Sequence, residues 1–194
     1  MSTEPAPRGR PPSTSREAID RVALGLFASR GFEATTVDDV AAALGVGRRT
    51  VFRYVASKND LVWGDFGVVL ERLRADLAAQ GDEIAPIDAV AAAALSSNHY
   101  PASQLPDLRV RMTLITTVPA LQAHSALRYA DWRAVIAEYV AARRGERPGD
   151  LVPQTVAFAA LGASMAAFSV WVRAGGALEP RLRAAYAALA AGFR

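Results

Sequence analysis

The chain contains no cysteine, so disulfides, thiolate metal sites and a cysteine nucleophile are excluded together. Histidine is almost as scarce. His99 and His124 are the only two, too few for a histidine-rich metal site. Lysine occurs once, at Lys58, and arginine supplies the rest of the basic charge. No Gly-rich phosphate loop, no assignable Ser-His-Asp arrangement and no pair of carboxylates beside a base is present. The sequence therefore predicts no catalytic residue, no metal and no cofactor. Strand-like alternation is missing too, as is any repeat of fixed period. What remains is helix punctuated by proline and glycine, with 194 residues to build a sizeable core.

The most informative stretch is TTVDDVAAALGVGRRTVFRYVASK, residues 35–58. Thr36 is an N-cap candidate, with Asp38 and Asp39 in the first turn, where the helix dipole favours negative charge. Val37, Val40, Ala41 and Leu44 fall at i, i+3, i+4 and i+7 and give this helix one apolar face. Gly45-Val46 makes a turn. A second helix is expected from Gly47 to about Val55, with Val51 and Val55 inward. Its outer face carries Arg48, Arg49, Thr50, Phe52, Arg53 and Tyr54, with no carboxylate. A helix-turn-helix needs such a face, because its second helix enters the DNA major groove. Arginine forks onto guanine O6 and N7, while threonine and tyrosine hydroxyls hold phosphate oxygens. The competing interpretation is an amphipathic hairpin inside a helical bundle. Charge placement favours DNA. Residues 8–58 hold nine Arg and Lys against five Asp and Glu, whereas residues 59–194 hold thirteen of each.

These residues resemble the DNA-binding domain of the TetR family of bacterial regulators. The matching positions are Thr36, Val37, Val40, Ala41, Gly45, Val46, Thr50, Phe52, Tyr54 and Lys58. Two departures stand out. Gly47 occupies a place where the family often has serine, and Phe52 one where it often has tyrosine. The run FRYVASKNDLVWGDF, residues 52–66, is similar to the branch of the family associated with mycofactocin biosynthesis. The resemblance implies DNA contacts from Thr36, Gly47, Arg48, Arg49, Thr50, Phe52, Arg53, Tyr54 and Lys58. It also implies an all-α fold of about nine helices, with a three-helix helix-turn-helix domain followed by a ligand-binding and dimerisation domain.

Along the chain, residues 1–12 read as a proline-rich disordered arm whose Arg8 and Arg10 could reach a minor groove. No apolar leader is visible, and a cytoplasmic location is expected. The DNA-binding domain is expected over 13–57 and the second domain over 58–194. Helix 1 should run from Ser13 or Thr14 to Arg30, with Ile19, Val22, Ala23, Leu26 and Phe27 as its stripe. A fourth helix is expected from Lys58 as far as Gln80, linking the two domains. Further helices are placed near 86–97, 106–117, 119–144, 150–174 and 179–192.

The run 151–172 has no charge and is long enough to span a bilayer. Its prolines, serines and many small residues suit a packed helix instead. Leu182, Tyr186, Leu189 and Phe193 form another stripe on the next helix. Two such helices suit a homodimeric four-helix bundle over about 150–192, as the resemblance also implies. Trp63, Phe66, Arg109, Met112, His124, Leu127 and Trp132 are the candidate ligand-binding residues, a mostly apolar set with a few polar groups. Any single one of them also reads as ordinary core.

The expected function is a ligand-responsive regulator, a repressor released from a palindromic double-stranded DNA operator. Its effector is expected to be hydrophobic with an acidic end, such as a long-chain acyl-coenzyme A. The alternative is a small helical ligand-carrier bundle, or an enzyme, without a transcriptional role.

Overall fold

The computed structural model describes residues 14–192. The expected arm over 1–12, with Arg8 and Arg10, and the stripe residue Phe193 lie outside the described residues. Within them the fold is all helical, without a strand. Ten α-helices are present: α1 (Arg16–Arg30), α2 (Val37–Ala43), α3 (Arg48–Phe52), α4 (Asp60–Trp63), α5 (Phe66–Ala78), α6 (Pro86–Ser97), α7 (Leu105–Thr117), α8 (Pro119–Arg144), α9 (Leu151–Ala174) and α10 (Glu179–Ala190). A short 3-10 turn at Ala102–Gln104 precedes α7. The chain divides into two compact units, one ending at Gly64 and one beginning at Asp65.

The single helix expected from Lys58 to Gln80 does not form. Gly64 adopts φ 64°, ψ −154°, which ends α4. Asp65 then caps α5, its carboxylate accepting from the Val68 amide at 3.4 Å. A Gly-Asp pair here acts as stop and start, because glycine tolerates positive φ and aspartate satisfies an orphan N–H. α3 is also shorter than expected, ending at Phe52 rather than near Val55.

In the first unit, Ser15 caps α1 by accepting from the Ala18 amide. Ile19, Ala23, Leu24 and Phe27 of α1 are buried, as are Val40 and Ala41 of α2, Val51 of α3 and Leu61 of α4, with α1 packing on α2 and α4 and α2 on α3. Val22 and Leu26 of the expected stripe are only half-buried, and Leu24 takes a core place instead. Each such aliphatic side chain contributes about 1.5–3 kcal/mol when fully buried. Phe32 stacks on Phe27, ring centroids 5.1 Å apart, and Thr35 is fully buried with its hydroxyl donating to the Gly31 carbonyl at 2.9 Å. These two contacts fix the turn that delivers the chain to α2.

The second unit is a bundle in which α9 packs on α8 and α10, and α5 packs on α6 and α8. Its core gathers Leu73, Leu77, Val90, Trp132, Ile136, Val140, Ala157, Ala160 and Tyr186. Alanines at the α6, α8 and α9 contacts let the backbones approach closely. Arg143 near the end of α8 donates to the carbonyls of Asp82 (2.6 Å) and Ile84 (2.8 Å), pinning the α5–α6 loop. Only a third of the most apolar stretch of α9 is buried within one chain. Leu151 and Phe158 on this helix are 81% and 54% exposed.

Candidate nucleic-acid interface and ligand cleft

The interface is built from α2 upward. The Thr36 hydroxyl accepts from the Asp39 amide at 3.1 Å, and the Asp39 carboxylate accepts from the Thr36 amide at 2.7 Å. This reciprocal box satisfies two orphan donors and sets where α2 begins. Its hydrogen bonds from the Thr36 side chain and backbone hold the Asp39 carboxyl below its ordinary range. Gly47 sits at the N-cap of α3 with φ −75° and no side-chain cap.

On α3, Arg48, Arg49, Phe52 and Arg53 are exposed, and Thr50 is half-buried. Val51 is fully buried and Val55 nearly so, which orients the helix. Arg48 pairs with Asp38 at 2.8 Å and lies 5.3 Å from the Phe52 ring centroid. The side chains of Arg49 and Thr50 make no hydrogen bond or ion pair among the described residues. Arg53 lies 6.0 Å from the Tyr54 ring. The structure thus brings Arg48, Arg49, Thr50 and Phe52 onto one short helix with Arg53 as its C-cap, and Thr36 at the cap of its neighbour. Two expected contacts are placed differently from free surface groups. The Tyr54 hydroxyl donates to the Thr14 carbonyl at 2.7 Å, so its donor is already used. Lys58 rests its ammonium 4.1 Å from the Phe32 ring centroid.

One organising residue was missed by sequence reading. Arg16 bonds the Asp20 carboxylate at 3.0 Å and donates to the carbonyls of Tyr54 (2.7 Å), Asp60 (3.3 Å) and Gly64. One guanidinium thereby ties the end of the recognition segment, α4 and the last residue of the first unit to α1. Its spacing to Asp20 at i, i+4 was a legible signal, but the carbonyls it serves are distant in sequence.

The candidate ligand residues are dispersed. Trp63 is buried in α4 of the first unit. Phe66 and Trp132 share the core of the second unit, so Trp132 acts as packing whose truncation leaves a void. Met112 is buried on α7, while Arg109 lies over the Trp171 ring at 4.6 Å. His124 is half-buried and Leu127 is 67% exposed.

A cleft of about 500 Å³ opens elsewhere, between α7, α8 and α9. Its polar lining is Thr116, Gln122, Ser125, Tyr129 and Ser169, and its apolar lining is Ile115, Met165 and Ala166. None of the seven expected residues is among them. Apart from Tyr129, an aromatic of the kind sequence reading places in a pocket wall, the lining is hydroxyls, one amide and small apolar groups, which carry no such signal. Burial pushes the Tyr129 hydroxyl up to about 12, partly opposed by its hydrogen bond with Ser125.

Comparison with known proteins follows the same division of the chain. Residues 19–62 match the bacterial regulatory proteins of the tetR family, and residues 84–194 match the MftR C-terminal domain. A Mycobacterium tuberculosis protein that carries the name mycofactocin biosynthesis transcriptional regulator MftR is 45% identical over 165 residues, covering 85% of this chain and 83% of that protein. Among solved structures, Thermus thermophilus FadR in complex with lauroyl-CoA aligns with TM-score 0.59 at 21% identity, over 93% of this chain and 95% of its own. The SmeT–triclosan complex aligns with TM-score 0.63 at 16% identity, over 91% and 90%. A helix-turn-helix unit with an open arginine face, continuous with a helical bundle of the MftR type, makes this chain a transcriptional regulator of the TetR family.

Proposed function

We propose that this regulator is a cytoplasmic repressor. In this reading it binds a near-palindromic operator as a homodimer and leaves it when a hydrophobic effector with an acidic end, such as a long-chain acyl-coenzyme A, occupies the second unit. The observation that carries the DNA reading is the outward face of α3, where Arg48, Arg49 and Arg53 are exposed without a carboxylate on the helix. Arg49 is the principal base reader, since Arg48 is shared with Asp38. Thr50 serves phosphate. Phe52 adds an exposed ring to the same face.

Dimerisation is supported by the exposed apolar side of α9, carried by Leu151, Val152, Phe158 and Val170. A second copy of the same helix, with α10, covers such a face in a four-helix bundle. α9 is long and apolar enough to cross a membrane. Pro153 in its first turn and its packing on α8 and α10 favour the bundle. The effector class is supported by the structural likeness to FadR, whose structure holds lauroyl-CoA.

The test is fluorescence anisotropy with DNA from the protein's own promoter. Wild type binds a specific site, and Arg49→Ala loses about 1–3 kcal/mol at one base position while retaining non-specific affinity. A protein that binds no promoter fragment, but does bind lipids, is a carrier bundle instead.

A further inference from the structure

We propose that Asp38 is a specificity-determining residue of the DNA-binding face. Its carboxylate sets Arg48 as a second base reader and withholds that arginine from phosphate. This rests on the DNA reading of α3 above.

α2 opens with two adjacent acids that do different work. Asp39 closes the capping box with Thr36 and lies 3.8 Å from Arg30. Asp38 takes no part in the cap. Its carboxylate accepts from Arg48 Nη1 at 2.8 Å, across the turn between α2 and α3. Both side chains are 60% exposed. An exposed pair of this kind adds little to folding. The start of α2 is set by Thr36 and Asp39, and α3 is oriented by its buried Val51. Neither depends on Asp38.

An acid in this place has a cost, because it meets the phosphates of a duplex as a like charge. What it provides is a fixed guanidinium. Arg48 is held by Asp38 and flanked by the Phe52 ring, whose centroid is 5.3 Å away. Asp38 occupies an Nη1 donor only. The Nε–Nη2 edge keeps both of its donors, and such an edge forks onto guanine O6 and N7. At longer range the paired charges cancel, so Arg48 adds little to the attraction that any sequence of phosphates exerts. Arg49 has no such partner among the described residues and keeps its full charge. Specificity is the ratio of operator binding to non-specific binding. Asp38 acts on both sides of that ratio, orienting one reader and removing one cation from the non-specific count. It is a positioning residue that works through Arg48.

The experiment is fluorescence anisotropy of the full-length protein with its own promoter fragment and with a scrambled duplex of equal length and composition, over a salt series. Asp38→Asn should weaken promoter binding and strengthen scrambled-duplex binding, each about threefold, so that the ratio falls about tenfold. The salt dependence on the scrambled duplex should steepen by about 0.9 in log K per log salt, the mark of one more phosphate neutralised. In an Arg48→Ala background the same substitution should leave the ratio unmoved. Thermal melts of all variants should match wild type, since both side chains are exposed. Equal gains on both duplexes overturn the proposal, because Asp38 is then only a like charge. A fall in the ratio that persists without Arg48 overturns it too, since Asp38 then contacts a base itself. A wild type that binds neither duplex sinks the DNA reading of α3, whereas wild-type discrimination with an unmoved ratio in Asp38→Asn sinks this proposal alone.

Discussion

Arg16 shows how one side chain can hold a DNA-binding unit in its working shape. It is three-quarters buried and serves the carbonyls of Tyr54, Asp60 and Gly64. Replacing it with methionine keeps the apolar stem and removes the donors, so these carbonyls lose their charged partner. The expected loss is about 3 kcal/mol, since charge-assisted bonds carry about 1.5–3 kcal/mol each and are not additive here. Urea denaturation of the full chain should show a lower midpoint, with operator binding weakened alongside it. Arg16→Lys should recover only part, because an ammonium cannot fork to divergent acceptors. A wild-type midpoint for Arg16→Met would remove Arg16 from this role. The contrast with Thr36 explains what was legible at this scale. The Thr36 cap was legible from its place before an apolar stripe, while Asp39, three positions on, was read only as a dipole charge and not as the partner of Thr36. Arg16 and its carbonyls are separated by 38, 44 and 48 positions, and no local pattern reports that.

Among the elements, α9 and α10 are joined by a buried polar contact as well as by apolar packing. The Tyr186 hydroxyl donates to the Ala160 carbonyl at 3.1 Å and lies 2.9 Å from Ser164 Oγ, which is left to act as donor to it. Burial pushes the Tyr186 hydroxyl up to about 12, with the Ser164 bond opposing the shift. The unfolded tyrosine titrates near 10. The folded pKa is raised, so the stability linked to it is fully present below pH about 10 and is lost as pH rises toward about 12. Tyr186→Phe should cost about 1–2 kcal/mol at neutral pH and flatten this alkaline decline relative to wild type. Thermal melts between those pH values measure both, and parallel declines in the two proteins would count against the assignment.

Helix boundaries were legible wherever a breaker had one meaning. Pro86 and Pro119 open α6 and α8 at their first positions, and Gly145 ends α8 in the left-handed region. The boundary at Gly64 was missed because a lone glycine also fits inside a helix. Only the following aspartate, as a cap, marked the break. The cleft between α7, α8 and α9 was not legible for a further reason. Leu127 and Met112 look alike in sequence, yet one faces out and the other in. Which face of α8 meets α7 and α9 is a tertiary property.

For the whole molecule, the proposed repression requires two recognition helices at a fixed separation, so the proposed dimer and effector act on one quantity. Phe158 is exposed, with the Arg133 guanidinium 3.9 Å from its ring, and is not part of the core of one chain. Phe158→Glu should therefore leave the fold intact while yielding monomers in sedimentation velocity. Operator affinity should fall by about a hundredfold or more as the second half-site contact is lost. A variant that remains dimeric places the interface elsewhere. An effector releases the wild-type dimer only by binding its DNA-incompetent state more tightly, and coupling of this kind is typically about 5–150-fold. Each buried methylene contributes about 0.8 kcal/mol, so lengthening an acyl chain by a pair of methylenes should strengthen release about tenfold until the apolar wall is covered. Titrating the protein–operator complex with acyl-coenzyme A species of increasing chain length reads this slope directly. A rise followed by a plateau is the expected curve, and the plateau length measures how much chain the second unit encloses. A flat response at every length, with release by a small polar metabolite instead, would end the hydrophobic-effector reading and leave the DNA-binding face of α3 untouched.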